Sequence, residues 1–302
     1  MAELHGRDLF PPRLSLDGRL DRHYHRIVPH PSRLPGPRPR KALGQHFLRD
    51  SGVLADIVAA VRAPEGGLVV EIGAGTGQLT AALLDAGYDV VALEIEDRLL
   101  PHLRQRFRGN PRFRLVQADA RDIDYGTLVP PGVPFVVSGN LPYFAANPII
   151  RHLLESSRRA TEAVLMIQRE VAREIAAKPG ESSLLTISIQ VYAEAERLFD
   201  VPPLAFEPPP AVHSSVIRLT LRPEPLVPPH EIEPFFTLVS KSFRNPRKQI
   251  HNALARETGL TAEQADESLR AAGIDPMRRA ETLSIADWLA LLDATRTVKA
   301  RG

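Results

Sequence analysis

The stretch Leu68-Val69-Val70-Glu71-Ile72-Gly73-Ala74-Gly75-Thr76-Gly77 joins a short, mainly apolar run to a turn with glycine at every second position. The run reads as a buried strand, and the periodic segment Gln78 to Ala86 that follows reads as a helix. Glycine lets a backbone take positive φ and approach a bound nucleotide closely. A dinucleotide fold sets a pyrophosphate at such a helix start. Here the spacing is G-x-G-x-G, not G-x-G-x-x-G, and Glu71 puts a carboxylate just before the turn. That acid suits a cationic ligand end and opposes a pyrophosphate, so a nucleotide-dependent dehydrogenase is the weaker reading. A tight strand–helix turn without a ligand is the plain alternative.

Outward from this turn the pattern alternates. Ser51 to Val61, Arg98 to Phe107 and Pro148 to Leu154 have helical spacing. Asp89 to Leu93, Phe113 to Val116, Phe135 to Val137 and Ala163 to Ile167 read as strands. Strand–helix alternation predicts a parallel, doubly wound α/β sheet with helices on both faces. Ligands of such sheets bind beyond the carboxyl ends of the strands. After Ile167 come a basic helix from Arg169 to Lys178, a helix near Leu184 to Tyr192 and a strand near Glu194 to Val201. Val201 to Pro210 is too proline-rich to be anything but irregular or extended. Ser215 to Leu221 reads as a last strand, Pro223 to Pro229 as a linker, and Glu233 to Thr295 as short helices only. The expected organisation is a basic, poorly ordered arm over residues 1–40, an α/β domain over 41–224 and a small helical domain over 225–302.

The length of 302 residues favours two domains, and 43% hydrophobic with 25% charged residues is ordinary for a soluble chain. Cysteine is absent, which excludes disulfides, thiolate zinc sites and cysteine nucleophiles. No stretch approaches the roughly 18 apolar residues of a membrane helix. The net charge is only +2, but basic residues gather at Arg33, Arg38, Arg40, Lys41 and Arg49, and again at Lys241, Arg244, Arg247 and Lys248. Such clusters suit phosphate contacts, with solvated surface charge as the plain alternative. The arm lacks the apolar core of a secretory signal, and its acids Glu3, Asp8, Asp17 and Asp21 are unusual in a transit peptide. A cytoplasmic location is expected. No His-Glu-x-x-His occurs and no metal is assigned; Ser214 and Ser215 lack a nucleophile elbow, and there is no Walker loop.

The remaining chemistry falls at predicted strand ends. Glu94 lies 21 residues after Gly73, where an acid grips a ribose diol, unless it caps the next helix with Glu96 and Asp97. Asp119 follows the third strand and suits the exocyclic amine of an adenine; a helix cap or turn is the alternative. Asn140-Leu141-Pro142-Tyr143 ends the fourth strand. The Asn140 side-chain oxygen and a backbone carbonyl beside Pro142 can accept both N–H bonds of an adenine amino group, while Tyr143 stacks on the base. An Asn-led turn with Tyr143 in the core is the alternative. His46, in Gly44-Gln45-His46-Phe47-Leu48, reads by itself as a surface residue or an imidazole held by a backbone group. Together the turn and the clamp suggest an enzyme that holds S-adenosylmethionine beside an adenine.

With these segments in order, the chain resembles the ribosomal RNA adenine dimethyltransferases, most closely the bacterial KsgA type, from about Arg38 to Leu292. Lys41 to Leu48, Glu71 to Gly77, Asn140 to Tyr143, Gln168 to Ala172, Phe206 to Ser214, Phe243 to Lys248 and Gly273 to Glu281 carry the resemblance. It departs at Phe144-Ala145-Ala146-Asn147, where the family usually has Asn or His, Ile, Ser or Ala, Thr. His46 stands where the family often has Asn. The resemblance implies a Rossmann-like S-adenosylmethionine-dependent methyltransferase domain with a small C-terminal all-helical domain. It implies transfer of four methyl groups to two adjacent adenines near the 3′ end of 16S rRNA, in a pre-30S particle; nothing in the sequence suggests an obligate interface, so a monomer is expected. His46, Leu48, Gly73, Glu94, Asp119 and Asn140 would contact the methyl donor, with Gly75 and Gly77 in the same loop. Asn140, Leu141, Pro142 and Tyr143 would hold the base, sandwiched between Tyr143 and either Phe206 or Phe144. Arg244, Arg247 and Lys248 would hold RNA. An Erm-type methyltransferase of large-subunit rRNA is the nearest rival, and a non-catalytic ribosome-assembly factor on the same fold is the rival from another class.

Overall fold

In the computed structural model, which describes residues 46–64 and 66–301, the glycine turn lies between β2 (Leu68–Ile72) and α2 (Gln78–Asp85). The arm over 1–40, its basic positions Arg33, Arg38 and Arg40, and Lys41 with Gly44-Gln45 lie outside the described residues. The further elements of this half are α1 (Ser51–Ala60), β3 (Asp89–Glu94), α3 (Leu100–Arg106), β4 (Phe113–Gln117), β5 (Phe135–Asn140), α4 (Ala146–Glu155) and β6 (Glu162–Gln168). β2 pairs in parallel with both β3 and β5, β3 with β4, and β5 with β6. All five residues of β2 are buried, as expected for a strand covered on both faces. That burial is why these strands read as unbroken apolar runs. The order continues through β9 (Ser214–Leu221) to β7 (Ala193–Val201), giving β4-β3-β2-β5-β6-β9-β7.

From β2 the chain winds outward through β3 and β4, then returns to place β5 on the other side of β2. The reversal between β2 and β5 makes their carboxyl ends a crevice where a doubly wound sheet binds ligands. Gly73 follows one of these ends and Asn140 terminates the other. Gly139 is what lets them meet. It is the register partner of Ile72, and a Cβ there would sit 2.5 Å from the Ile72 carbonyl oxygen.

A second, two-stranded sheet pairs β1 (Phe47–Leu48) antiparallel with β8 (Phe206–Glu207), neither of which the sequence pattern suggests as a strand. The Ala205 carbonyl accepts from the amides of Arg49 at 2.8 Å and Asp50 at 3.2 Å, and Arg49 pairs with Glu207 at 3.2 Å. Asp50 then caps α1 through the amides of Gly52 and Val53. The proline-rich segment is thus built of a single 3-10 turn, Pro203–Ala205, followed by β8.

By internal contacts the chain divides into two compact units. One holds the residues up to Ile167 with Asp200–Val216; the other holds Gln168–Phe199 with Ile217 onward. The second contains α5 (Arg169–Ile175), α6 (Leu184–Gln190), α7 (Ile232–Phe243), α8 (Ile250–Glu257), α9 (Ala262–Ala271) and α10 (Ile285–Arg301). Capping boxes start α6 at Ser183 and α9 at Thr261. Phe235 and Trp288 are fully buried in it. The final helix is not short: α10 runs 17 residues, with Trp288, Leu291, Leu292, Thr295 and Val298 buried along one face. Thr295 breaks the apolar stripe, its hydroxyl donating to the Leu292 carbonyl at 2.8 Å, which hides the last turn from a pattern of apolar spacing. Among the described residues no helix is long and apolar enough to cross a membrane.

Replacing Gly139 with alanine should destabilise the protein by about 1–3 kcal/mol, because the obstructing atom is backbone and cannot rotate away. The midpoint of urea unfolding checks this, and a wild-type midpoint would contradict the close approach of β2 and β5.

Candidate active site

An open cleft of about 1080 Å³, part of it bulk solvent, lies at the strand reversal and is walled by the ends of β2, β3, β4 and β5 together with His46, Phe47 and Phe206. On its glycine side the turn is held by backbone. The amides of Gly73 and Ala74 both donate to the Leu93 carbonyl, at 2.9 and 3.0 Å. Gly73 and Gly75 have φ of 74° and 58°, and a Cβ on Gly75 would press on the Phe47 ring at 3.3 Å. Gly77 begins α2 with φ 77°, and a Cβ there would meet the Phe107 ring at 2.7 Å. Gly77 shapes the loop without lining the cleft. The Arg106 guanidinium holds the same loop from behind, donating to the Thr76 carbonyl at 2.5 Å and to Gln78 at 3.3 Å.

Three acids surround this loop: burial raises two of them, and an arginine lowers the third. Glu71 is 1% exposed, and its carboxylate accepts the Thr80 hydroxyl at 2.5 Å. Burial pushes it up to about 7, against the lowering effect of that hydrogen bond. Glu94 is raised by burial, opposed by the amides it accepts from, Glu96 at 2.9 Å and Gly75 at 2.8 Å. Asp119 is lowered, chiefly by the Arg121 guanidinium 2.5 Å away. Glu94 and Asp119 both face the cleft, and Glu71 lies behind the loop in a smaller depression shared with Leu48, Gly73 and Asn140.

On the other side, His46 ties the walls together. Its Nδ1–H donates to the Pro208 carbonyl at 2.7 Å, and its own carbonyl accepts the Asn140 Nδ2 at 3.1 Å. With Nδ2 so engaged, Oδ1 is the Asn140 atom left to accept from a donor in the cleft. The Leu141 amide donates to the Met166 carbonyl at 3.0 Å, which fixes the backbone just before Pro142. Tyr143 lies near-parallel to the His46 ring, with centroids 6.2 Å apart, and its hydroxyl shares a 2.8 Å hydrogen bond with the fully buried Ser214. Burial raises the Tyr143 phenol, so it stays neutral. Phe206 is buried in the wall, whereas Phe144 stands exposed on the rim.

The structure therefore brings His46, Gly73, Gly75, Glu94, Asp119, Asn140, Leu141, Pro142, Tyr143 and Phe206 to one cleft, with Leu48 in the adjoining depression. Arg244, Arg247 and Lys248 are elsewhere, exposed on the segment between α7 and α8, where Arg244 pairs with Glu257 at 2.9 Å. Four contributors escape a sequence reading. Ile95 offers the cleft an apolar side chain one residue beyond Glu94, a position that could have been flagged. Arg106, Arg121 and Ser214 act through contacts that no spacing rule encodes.

A family model described as Ribosomal RNA adenine dimethylase matches residues 37–296. The Ribosomal RNA small subunit methyltransferase A of Dehalococcoides mccartyi is 38% identical over 249 residues, 82% of this chain and 86% of that protein. The protein of the same name from Clostridium perfringens is 39% identical over 256 residues, covering 84% and 90%. Among solved structures, the 23S rRNA methyltransferase ErmE superposes with a TM-score of 0.66 at 29% identity, covering 83% of this chain and 99% of that one.

Glu71 gives the site a pH signature. The folded protein keeps its proton to about pH 7, whereas the unfolded chain releases it near the ordinary value of 4.5. Between those values the folded state holds the extra proton, so the Glu71 contribution to stability falls as pH rises and is level above 7. Without any methyl donor, Glu71→Gln should gain on wild type by on the order of 3 kcal/mol from pH 4.5 to 8. Parallel unfolding profiles for the two proteins across this range would refute it.

Proposed function

The chain belongs to the ribosomal RNA adenine dimethylase family, and we propose that it dimethylates N6 of two adjacent adenosines in the 3′-terminal hairpin of 16S rRNA during small-subunit assembly. It is a Rossmann-like, S-adenosylmethionine-dependent rRNA methyltransferase. The observation that carries the finer reading is the clamp: an Asn140 amide whose nitrogen is bonded to the His46 carbonyl, next to the fixed Leu141–Pro142 backbone and Tyr143. Relatives named for the small subunit are 38% and 39% identical, against 29% for the 23S enzyme, which favours the small-subunit target. Mapping dimethyladenine in both rRNAs of a knockout and its complemented strain tests this directly.

The residues present fit the methyl donor. Positive-φ glycines leave a cradle, Glu94 is anchored by the loop amide of Gly75, and the buried Glu71 carboxyl lies behind the loop. When bound, S-adenosylmethionine supplies an electrophilic methyl group on a sulfonium. Glu94 would hold a ribose diol and Asp119 an adenine amine, with His46, Leu48, Gly73 and Asn140 around the remainder. Asn140 Oδ1 and the Leu141 carbonyl accept the two N–H bonds of the target amino group. This draws N6 toward a tetrahedral, more nucleophilic geometry. Tyr143 and Phe206 cover the two faces of the base, which must leave its stack to arrive. Positioning is the main catalytic device. Because positive charge is lost from the sulfur in the step, no strong base is required for it, and the proton leaves N6 afterwards.

Residues 41–224 would carry this chemistry and residues 225–302 would hold the RNA, through phosphate contacts of Arg244, Arg247 and Lys248. This reading places the enzyme in the cytoplasm, acting as a monomer on a pre-30S particle.

Asn140→Ala should lower methyl transfer to pre-30S particles by at least about 100-fold while leaving thermal stability nearly unchanged. Turnover near wild type would sink the clamp. Charge reversal at Arg247 and Lys248 should weaken particle binding and reduce the slope of log affinity against log salt by about 1 per lost phosphate contact. An unchanged slope would remove those residues from the RNA interface.

A further inference from the structure

Phe144 is an aromatic side chain that the cleft displays but does not bury. The turn from Pro142 to Ala145 is closed by the Ala145 amide, which donates to the Pro142 carbonyl at 2.9 Å. Neighbouring rings on this turn differ in exposure, Tyr143 being half-buried and Phe144 exposed. Tyr143 goes inward, its hydroxyl fixed by Ser214. Phe144 goes to the rim, where it is 69% exposed, while Phe206 in the wall is only 4% exposed. Phe206 is therefore suited to face a base inside the cleft, and Phe144 is suited to meet something that stays outside it.

We infer that Phe144 is the stacking platform for the nucleobase next to the target adenine, not a wall of the target's own pocket. The inference rests on the adenine-methylating reading above. To reach Asn140, the target must leave its stack, and this uncovers one face of its neighbour. A ring on the lip, one residue from Tyr143, is placed to cover that face. Every base has a π-face, so such a platform tolerates any neighbour. With two adjacent target adenosines, the neighbour is the adenosine waiting its turn. One ring also presents far less than the roughly 1,200 Å² of a stable protein interface, which argues against a protein occupant.

The test uses pre-30S particles reconstituted with 16S rRNA carrying either two adjacent adenosines or one adenosine beside an abasic residue. Full-length wild type, Phe144→Ala and Phe144→Trp are compared by kcat/KM for the particle and by KM for S-adenosylmethionine. On the intact site Phe144→Ala should lose about 5- to 100-fold in kcat/KM for the particle, with KM for the donor unchanged and Phe144→Trp close to wild type. The abasic residue should cost wild type a similar factor and cost Phe144→Ala nothing more. An equal loss for Phe144→Ala on both particles, or no loss on either, overturns the platform while leaving the enzyme's assignment intact. A wild-type protein inert on both particles overturns the functional reading and the platform with it.

Discussion

A Cβ at residue 139 would lie 2.5 Å from the Ile72 carbonyl oxygen, and the active cleft depends on its absence. Parallel pairing alone would bring β2 and β5 to ordinary strand spacing. What the cleft adds is a tight approach in the last register pair, Ile72 with Gly139, just before each strand delivers its chemistry. Gly73 follows Ile72 and Asn140 follows Gly139, so the proposed donor loop and base clamp start from closely packed backbones. On the proposed function, main chain would thereby set the geometry that methyl transfer demands.

A second constraint closes the site from the side. His46 reaches Pro208, 162 residues away, with its ring, and reaches Asn140, 94 residues away, with its carbonyl. The β1–β8 pair and the bonds of Arg49 and Asp50 to the Ala205 carbonyl make this a strap, not one contact. The strap presents Phe206 and orients the Asn140 amide in one structure, so the proposed base wall and hydrogen-bond clamp share one support.

What the sequence made legible was local. Strand, turn and helix follow one another around Gly73-Ala74-Gly75-Thr76-Gly77; Glu94 and Asn140 each close a strand whose apolar run announces it, and Asp119 lies two residues beyond another. What stayed hidden depends on partners far along the chain. Two-residue strands such as Phe47–Leu48 leave no period to detect. Ser214 looks like any serine until its oxygen is found 2.8 Å from Tyr143. Arg106 reads as a surface cation in a helix, yet its target is the Thr76 carbonyl. Phe144 and Phe206 were interchangeable as the second face of a sandwich, and only their burial separates them.

The three acids around the loop explain how one cleft can take a cation and let a neutral product go. Asp119 is already balanced by Arg121, whereas Glu94 is raised by burial against the amides of Glu96 and Gly75. Glu71 is the most buried of the three, and burial together with the Glu94 charge outweighs the Thr80 hydroxyl, the Thr80 amide and Arg106. On the function proposed above, the donor is a sulfonium and its product is an uncharged thioether. A positive group beside Glu71 favours the carboxylate, and the carboxylate in turn holds that group. Methyl transfer removes the sulfonium charge, so part of that mutual attraction ends with the reaction. On that proposal, a sulfonium held near Glu71 would bind more tightly than its thioether product, which would suit an enzyme that exchanges product for donor between successive transfers.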